Sequence, residues 1–223
     1  MILYHGTSVA HLPAILQAGI VPRSKSGNSN WPTEFASDDA MVYLTSCYAL
    51  HFALAAEHGE ENVAVIEIET SGLSTRKFFP DEDFVAQGMS KVHGLLLSEA
   101  QKLALQHRNR FKHLWRDSLQ KMGTVAFKGT VPLRAIKRVA RVDVEKRARL
   151  LSNIDPTITP LNFMIKGEYY KQFTRWIFGD RDLLPDVEET ERIEKAGIVI
   201  PGRMDAIRAE SMNREGIRVE AIR

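Results

Sequence analysis

Cysteine is nearly absent from this chain. Cys47 is the one cysteine among 223 residues, so no disulfide can close within the chain, which fits a reducing compartment. Long apolar runs are missing too. Nothing approaches the roughly 20 consecutive apolar residues of a membrane-spanning helix. The first residues lack the basic stretch and apolar core of a secretory leader, so none is expected. Internal repeats and low-complexity tracts are also lacking. His51, His58, His107 and His113 are not spaced with a carboxylate or thiol as metal ligands are, so no metal is expected. These absences predict a soluble, cytoplasmic protein with no membrane partner.

One more absence is local. No Asp or Glu occurs between Asp117 and Asp143. Net charge is only +2, yet residues 101–149 hold 14 Lys/Arg against 3 Asp/Glu. Residues 1–100 have the opposite balance, 5 against 12. Within the basic segment Lys102, Arg108, Arg110, Lys112, Arg116 and Lys121 have few acidic partners at helical spacing, so they repel one another. His107, Phe111, His113 and Trp115 lie between them. Cations interleaved with aromatic rings suit a nucleic-acid backbone and its bases. The plainer reading is a solvated helix face. Arg108, Arg110, Lys112 and Arg116 are the candidate nucleic-acid contacts.

The 44% hydrophobic content allows a packed core. Ile2 to Tyr4 reads as a strand, with His5 in the turn before a helix over Val9 to Ala18 that Gly19 stops. Ser24 to Asp39 is a polar loop. Met41 to Thr45 is a second strand, followed by a helix capped by Ser46. Asn62 to Glu69 is a mostly buried strand. "FFPDEDF" (Phe78–Phe84) is a strand exit with three acids, and Ser90 to Gln120 is strongly helical. Thr124 to Phe127 is a strand. "VPLRAIKRV" is a short helix leading to a last strand over Val139 to Val142. The order predicts an α+β fold with a mixed or antiparallel sheet and a helical insert. Asn153 to Pro160 reads as a linker. The division is residues 1–149 as the main domain and 150–223 as a mainly helical extension.

Three pieces carry chemistry together: "YHGT" closing the first strand, "VYLTSCYALHFALAA", and "TVAFKGTVPLRAIKRV". Taken singly, His5 is an ordinary turn histidine, Tyr43 a core residue, "PDEDF" a solvated turn and Cys47 a buried cysteine. In this order the set resembles the ADP-ribosyltransferase superfamily, in the branch with His in the first motif and Tyr in the second. DNA-modifying DarT toxins belong there, and RNA 2′-phosphotransferases resemble the same pieces more distantly. The resemblance covers roughly residues 1–144. It implies a split-sheet α+β fold that binds NAD as substrate. By that likeness His5 bonds the adenosine ribose, Gly6 lets the backbone reach the nicotinamide amide, and Thr7 and Thr45 support the cofactor. Tyr43 stacks on the nicotinamide ring.

The resemblance breaks at the third motif. A glutamate is expected where Thr124 stands, before the "VP" turn. Three readings stay open. Thr124 or Gln120 does the work without a charge; a carboxylate of "PDEDF", Asp81 or Asp83, arrives from another strand; or the site is inactive. The function expected is NAD-dependent ADP-ribosylation of a macromolecule, DNA or RNA favoured. A toxin of that kind implies a neutralising protein partner. The alternatives are an RNA 2′-phosphotransferase and an inactive NAD- or nucleic-acid-binding module.

Overall fold

In the computed structural model the described residues are 1–26, 37–55, 62–151, 159–180 and 214–222. β-branched and apolar residues alternate into strands at Ile2–Ser8 (β1), Met41–Thr45 (β2), Asn62–Glu69 (β3) and Phe78–Pro80 (β4). Three more strands follow at Thr124–Lys128 (β5), Ile136–Asp143 (β6) and Ile217–Ala221 (β7). They form one open sheet in the order β4-β5-β2-β1-β3-β6-β7, and each of its pairings is antiparallel. The α+β class is as expected.

The helices are Leu12–Ala18 (α1), Arg23–Ser26 (α2), Ala49–Ala55 (α3), Glu82–His93 (α4) and Leu97–Gln106 (α5). Arg108–Phe111 (α6), Trp115–Met122 (α7), Val144–Leu151 (α8) and Pro160–Ile177 (α9) are the others among the described residues. The sheet separates two apolar layers. Leu3, Val42, Leu44, Ile66, Val125 and Phe127 face α1 and the Trp115 side of α7. Tyr4, Val63, Val65, Ala140 and Val142 face α3 and the aromatic residues of α9, Phe173 and Trp176. No described helix is long and apolar enough to cross a membrane.

Several boundaries differ from the sequence expectation. β1 continues through Ser8, so His5 is mid-strand and not in a turn. The reason is β3, which pairs with β1 from Ile2↔Glu69 to Ser8↔Val63 and holds the glycine-containing stretch extended. The expected long helix over 90–120 is broken. Gly94 ends α4 in the left-handed region at φ 67°, where a glycine costs least. The "VPLRA" piece is a single 3-10 turn at Leu133–Ala135, and β6 starts directly after it. The Ser46 hydroxyl turns to the Gly123 carbonyl, and Thr45 Oγ1 accepts from the Cys47 and Tyr48 N–H groups just ahead of the second-motif helix. The C-terminal region contributes a strand as well as a helix, because β7 pairs with β6 from Arg138↔Ala221 to Val142↔Ile217. Much of the expected linker over 153–160 and of the loop over 24–39 lies outside the described residues.

Two features fix the centre of the sheet. Gly6 on β1 is overlaid by α3, and a Cβ there would overlap the Ala49 carbonyl oxygen and sit 2.6 Å from the Ala53 nitrogen. The alanines of the second motif let the helix backbone come that close. Second, β1 and β2 share one residue pair, Tyr4↔Thr45, whereas β1 and β3 pair along their whole length. The sheet therefore consists of two wings, β4-β5-β2 and β1-β3-β6-β7, joined at a narrow seam. On the second wing Arg138 bonds both Glu67 and Asp180 and lies 4.8 Å over the Phe178 ring, which clasps the end of α9 to the sheet.

Candidate active site

His5 lies at the seam. Its Nδ1 is 3.0 Å from the carbonyl oxygen of Tyr43. A carbonyl can only accept, so Nδ1 carries the proton and Nε2 of the neutral ring is an acceptor. Burial lowers the His5 pKa, and nearby His11 lowers it further, against the pull of the Tyr43 carbonyl. The neutral tautomer is therefore the resting form at neutral pH. Thr7 shares its face of β1. Its Oγ1 is 3.1 Å from His11 Nδ1, and the residue is buried.

Tyr43 joins two surroundings. Because Tyr4 pairs with Thr45, Tyr43 projects to the face opposite His5. There its hydroxyl donates to Glu82 Oε2 at 2.6 Å and accepts from the Asp38 N–H at 3.0 Å. Asp38 in turn accepts from the Ala40 N–H and pairs with Arg108. Glu82 and Arg108 both line a small open cleft, about 20 Å³ inside, with Phe79, Val85, Leu105 and Phe111 among its apolar walls. Burial, and then the neighbouring Asp81, push Glu82 up to about 8. Burial drives the Tyr43 hydroxyl well above its usual value as well, with Glu82 adding to it.

Thr124, where the third motif lacks an acid, has Asp81 as a neighbour. Asp81 directly follows β4, which pairs with β5 up to Pro80↔Val125. The Asp81 N–H donates to Ser118 Oγ, and that hydroxyl donates to the Thr124 carbonyl. This holds Asp81 beside Thr124, whose Oγ1 is buried and has no hydrogen-bond partner. Burial, and then the neighbouring Asp83, raise Asp81 to about 7. Asp81 also caps α4 by accepting from the Asp83 N–H. Of the other candidates, Asp83 binds Gln101 beside α5, and Gln120 is exposed on α7.

Not every expected contact has room for a ligand. Thr45 Oγ1 donates to the Gly123 carbonyl and accepts from two backbone N–H groups, which fills a hydroxyl's capacity. Gly6 has a packing reason of its own, the seating of α3. Cys47 is buried and its thiol is pushed up to about 12 by desolvation, which fits an inert packing residue. Among the described residues no cluster of three or more His, Cys, Asp or Glu could hold a metal.

The basic segment is partly internal. Arg108 pairs with Asp38, Lys112 lies 4.8 Å over the Phe79 ring and Arg116 lies 4.5 Å over the Trp115 ring. Arg147 is buried against Trp176. Arg110, Arg116, Lys121, Lys128, Arg134 and Lys137 remain on the surface. Sequence reasoning did not single out Glu82, Asp38 or Ser118. The triplet Asp81-Glu82-Asp83 was visible, but which carboxylate faces Tyr43 depends on where α4 begins.

No protein-family model matches this chain, and no curated protein matches it. Among solved structures, one named EcPltA shares 12% identity over 63% of this chain and 75% of that chain, with a TM-score of 0.35. A likeness of that size transfers neither the fold nor the activity of that protein to this chain.

Proposed function

We propose that this protein is an NAD-dependent ADP-ribosyltransferase that modifies a nucleic acid. The observation that carries the reading is Asp81 beside Thr124, a carboxylate residue next to the position where the three-motif pattern lacks one. The seam between β1 and β2, with neutral His5 at its edge, supports it as well. NAD is the substrate in this reading and brings a glycosidic bond to a good leaving group. His5 Nε2 accepts from a ribose hydroxyl. Tyr43 holds His5 through its carbonyl and Glu82 through its hydroxyl. Asp81, when ionised, faces positive charge that develops on the ribose. The surface cations of α6 and α7 attract the phosphates of the acceptor.

Labelled NAD incubated with separate pools of DNA, RNA and protein tests the reading. The expected result is label in a nucleic-acid pool, with loss of transfer but retained NAD binding in Asp81→Asn, since a charge acting on the transition state leaves ground-state affinity alone. No NAD binding by calorimetry and no nicotinamide release would refute it.

A further inference from the structure

We infer that Glu82 is the base that deprotonates the acceptor, and that the cleft between β4, α5 and α6 is where the acceptor's nucleophilic N–H or O–H enters. This rests on the reading above and assigns a second carboxylate to the same reaction. The cleft has two acids among its lining residues, Glu82 and Asp38. Asp38 is already engaged, by the Ala40 N–H at one oxygen and by Arg108 at the other. Glu82 has one oxygen, Oε2, on the Tyr43 hydroxyl, and that bond fixes the carboxyl at the cleft wall. Its burial among apolar walls desolvates the carboxylate and makes it a stronger base than it is in solution.

The groups facing Glu82 come from several elements. Asp81 and Asp83 flank it in the chain, Tyr43 reaches it from β2, and Arg108 of α6 lies across the same cleft. The sum places its ionisation near 8, close to the working range of a general base. The step balances simply. The C1′–N bond of NAD breaks and its electron pair stays on the nitrogen, giving neutral nicotinamide. A lone pair of the acceptor forms the new bond to C1′. The acceptor's proton passes to the Glu82 carboxylate and then to solvent. No oxidant, reductant or metal is required. Exposed Arg110 and Arg116 beyond the cleft favour a polyanionic acceptor, whose phosphates track α6 and α7 while its reacting N–H or O–H reaches Glu82.

The test separates NAD cleavage from transfer. Full-length wild type, Glu82→Gln and Glu82→Asp are incubated with labelled NAD, with and without single-stranded DNA, RNA or a protein pool. Released nicotinamide and polymer-bound label are measured separately. Glu82→Gln should lose transfer by about 100-fold or more, the usual scale for a general base, while acceptor-free nicotinamide release falls by clearly less. Glu82→Asp should recover part of the transfer. Unchanged transfer in Glu82→Gln overturns the inference, and so does an equal fall in transfer and acceptor-free cleavage. Label in protein alone overturns the acceptor class. A wild type that neither binds nor cleaves NAD overturns the underlying reading instead. Should Glu82→Gln fail to fold, Tyr43→Phe decides. Loss of the hydroxyl that stabilises ionised Glu82 should move the rising limb of the transfer–pH profile above its wild-type position near pH 8. An unmoved limb counts against Glu82.

Discussion

Replacing Gly6 with alanine is a sharp test of how the centre of this molecule is built. The added Cβ would overlap the Ala49 carbonyl oxygen and lie 2.6 Å from the Ala53 nitrogen and 2.8 Å from the Ala49 carbonyl carbon, where ordinary contact begins near 3.4 Å. All three atoms belong to helix backbone, so no side-chain rotation relieves the overlap. Helix α3 must back away from β1 by about 1 Å or more, and it carries Leu50 and Ala53 out of contact with Val63 and Val65. Gly6 has no positive φ, so the cost is steric and owes nothing to backbone strain. Overpacking of this kind costs typically 1–3 kcal/mol and sometimes more, and an unyielding backbone puts this site at about 3 kcal/mol. In a chain of this size that lowers Tm by about 6–12 °C. Thermal unfolding by circular dichroism, with urea titration for the m-value, measures it. A Tm within about 2 °C of wild type would show that α3 is not seated on β1 as described. If that variant also lost NAD binding, Gly6 would be a ligand position first and a packing position second.

Two further perturbations follow from the charges. Arg138→Gln should cost about 2 kcal/mol, less than the 3–5 typical of fully buried pairs because Arg138 is still a quarter exposed, and it should loosen the end of α9, read as faster amide exchange at 173–178. Asp81 and Glu82 are raised to about 7 and about 8, so between pH ~4 and ~8 the folded state holds protons that the unfolded state has released. Wild-type stability should therefore fall as pH rises through that window, and Asp81→Asn, which keeps the helix cap, should flatten the fall in urea midpoint. A midpoint rising from pH 5 to 8, or the same slope in the variant, would contradict the buried placement of these acids.

Much of the sheet was legible because its strands are short alternating or apolar runs. Met41–Thr45 and Asn62–Glu69 come out with the expected bounds. β1 was underestimated because local turn chemistry at His5-Gly6-Thr7 is weaker than a full-length pairing with β3. β7 was missed because "IRVEA" has two charges in five residues, and pairing with β6 decides its state rather than propensity. The site was legible in parts. His5, Tyr43 and the acidic triplet were named, and Asp81 and Thr124 are linked through Ser118. The assignment of Glu82 to Tyr43 was not readable, because it depends on the register between β4, β5 and β2. Nor was the internal use of Arg108 and Arg147, since a cation's partner on a distant element leaves no local trace.

The pairing of β6 with β7 has a consequence for how the chain matures. Residues 138 and 221 are neighbours in the sheet but 83 positions apart in sequence, so this contact closes a long loop and must come late. During synthesis β6 presents a bare edge rich in Val139, Ala140 and Val142, the kind of template on which two nascent chains pair. When β7 arrives it brings Arg218 and Glu220, and the outer margin of the sheet becomes charged. Residues 217–221 therefore act as a guard against self-association, and shortening the protein before Ile217 should be felt as loss of solubility before it is felt as loss of any ligand.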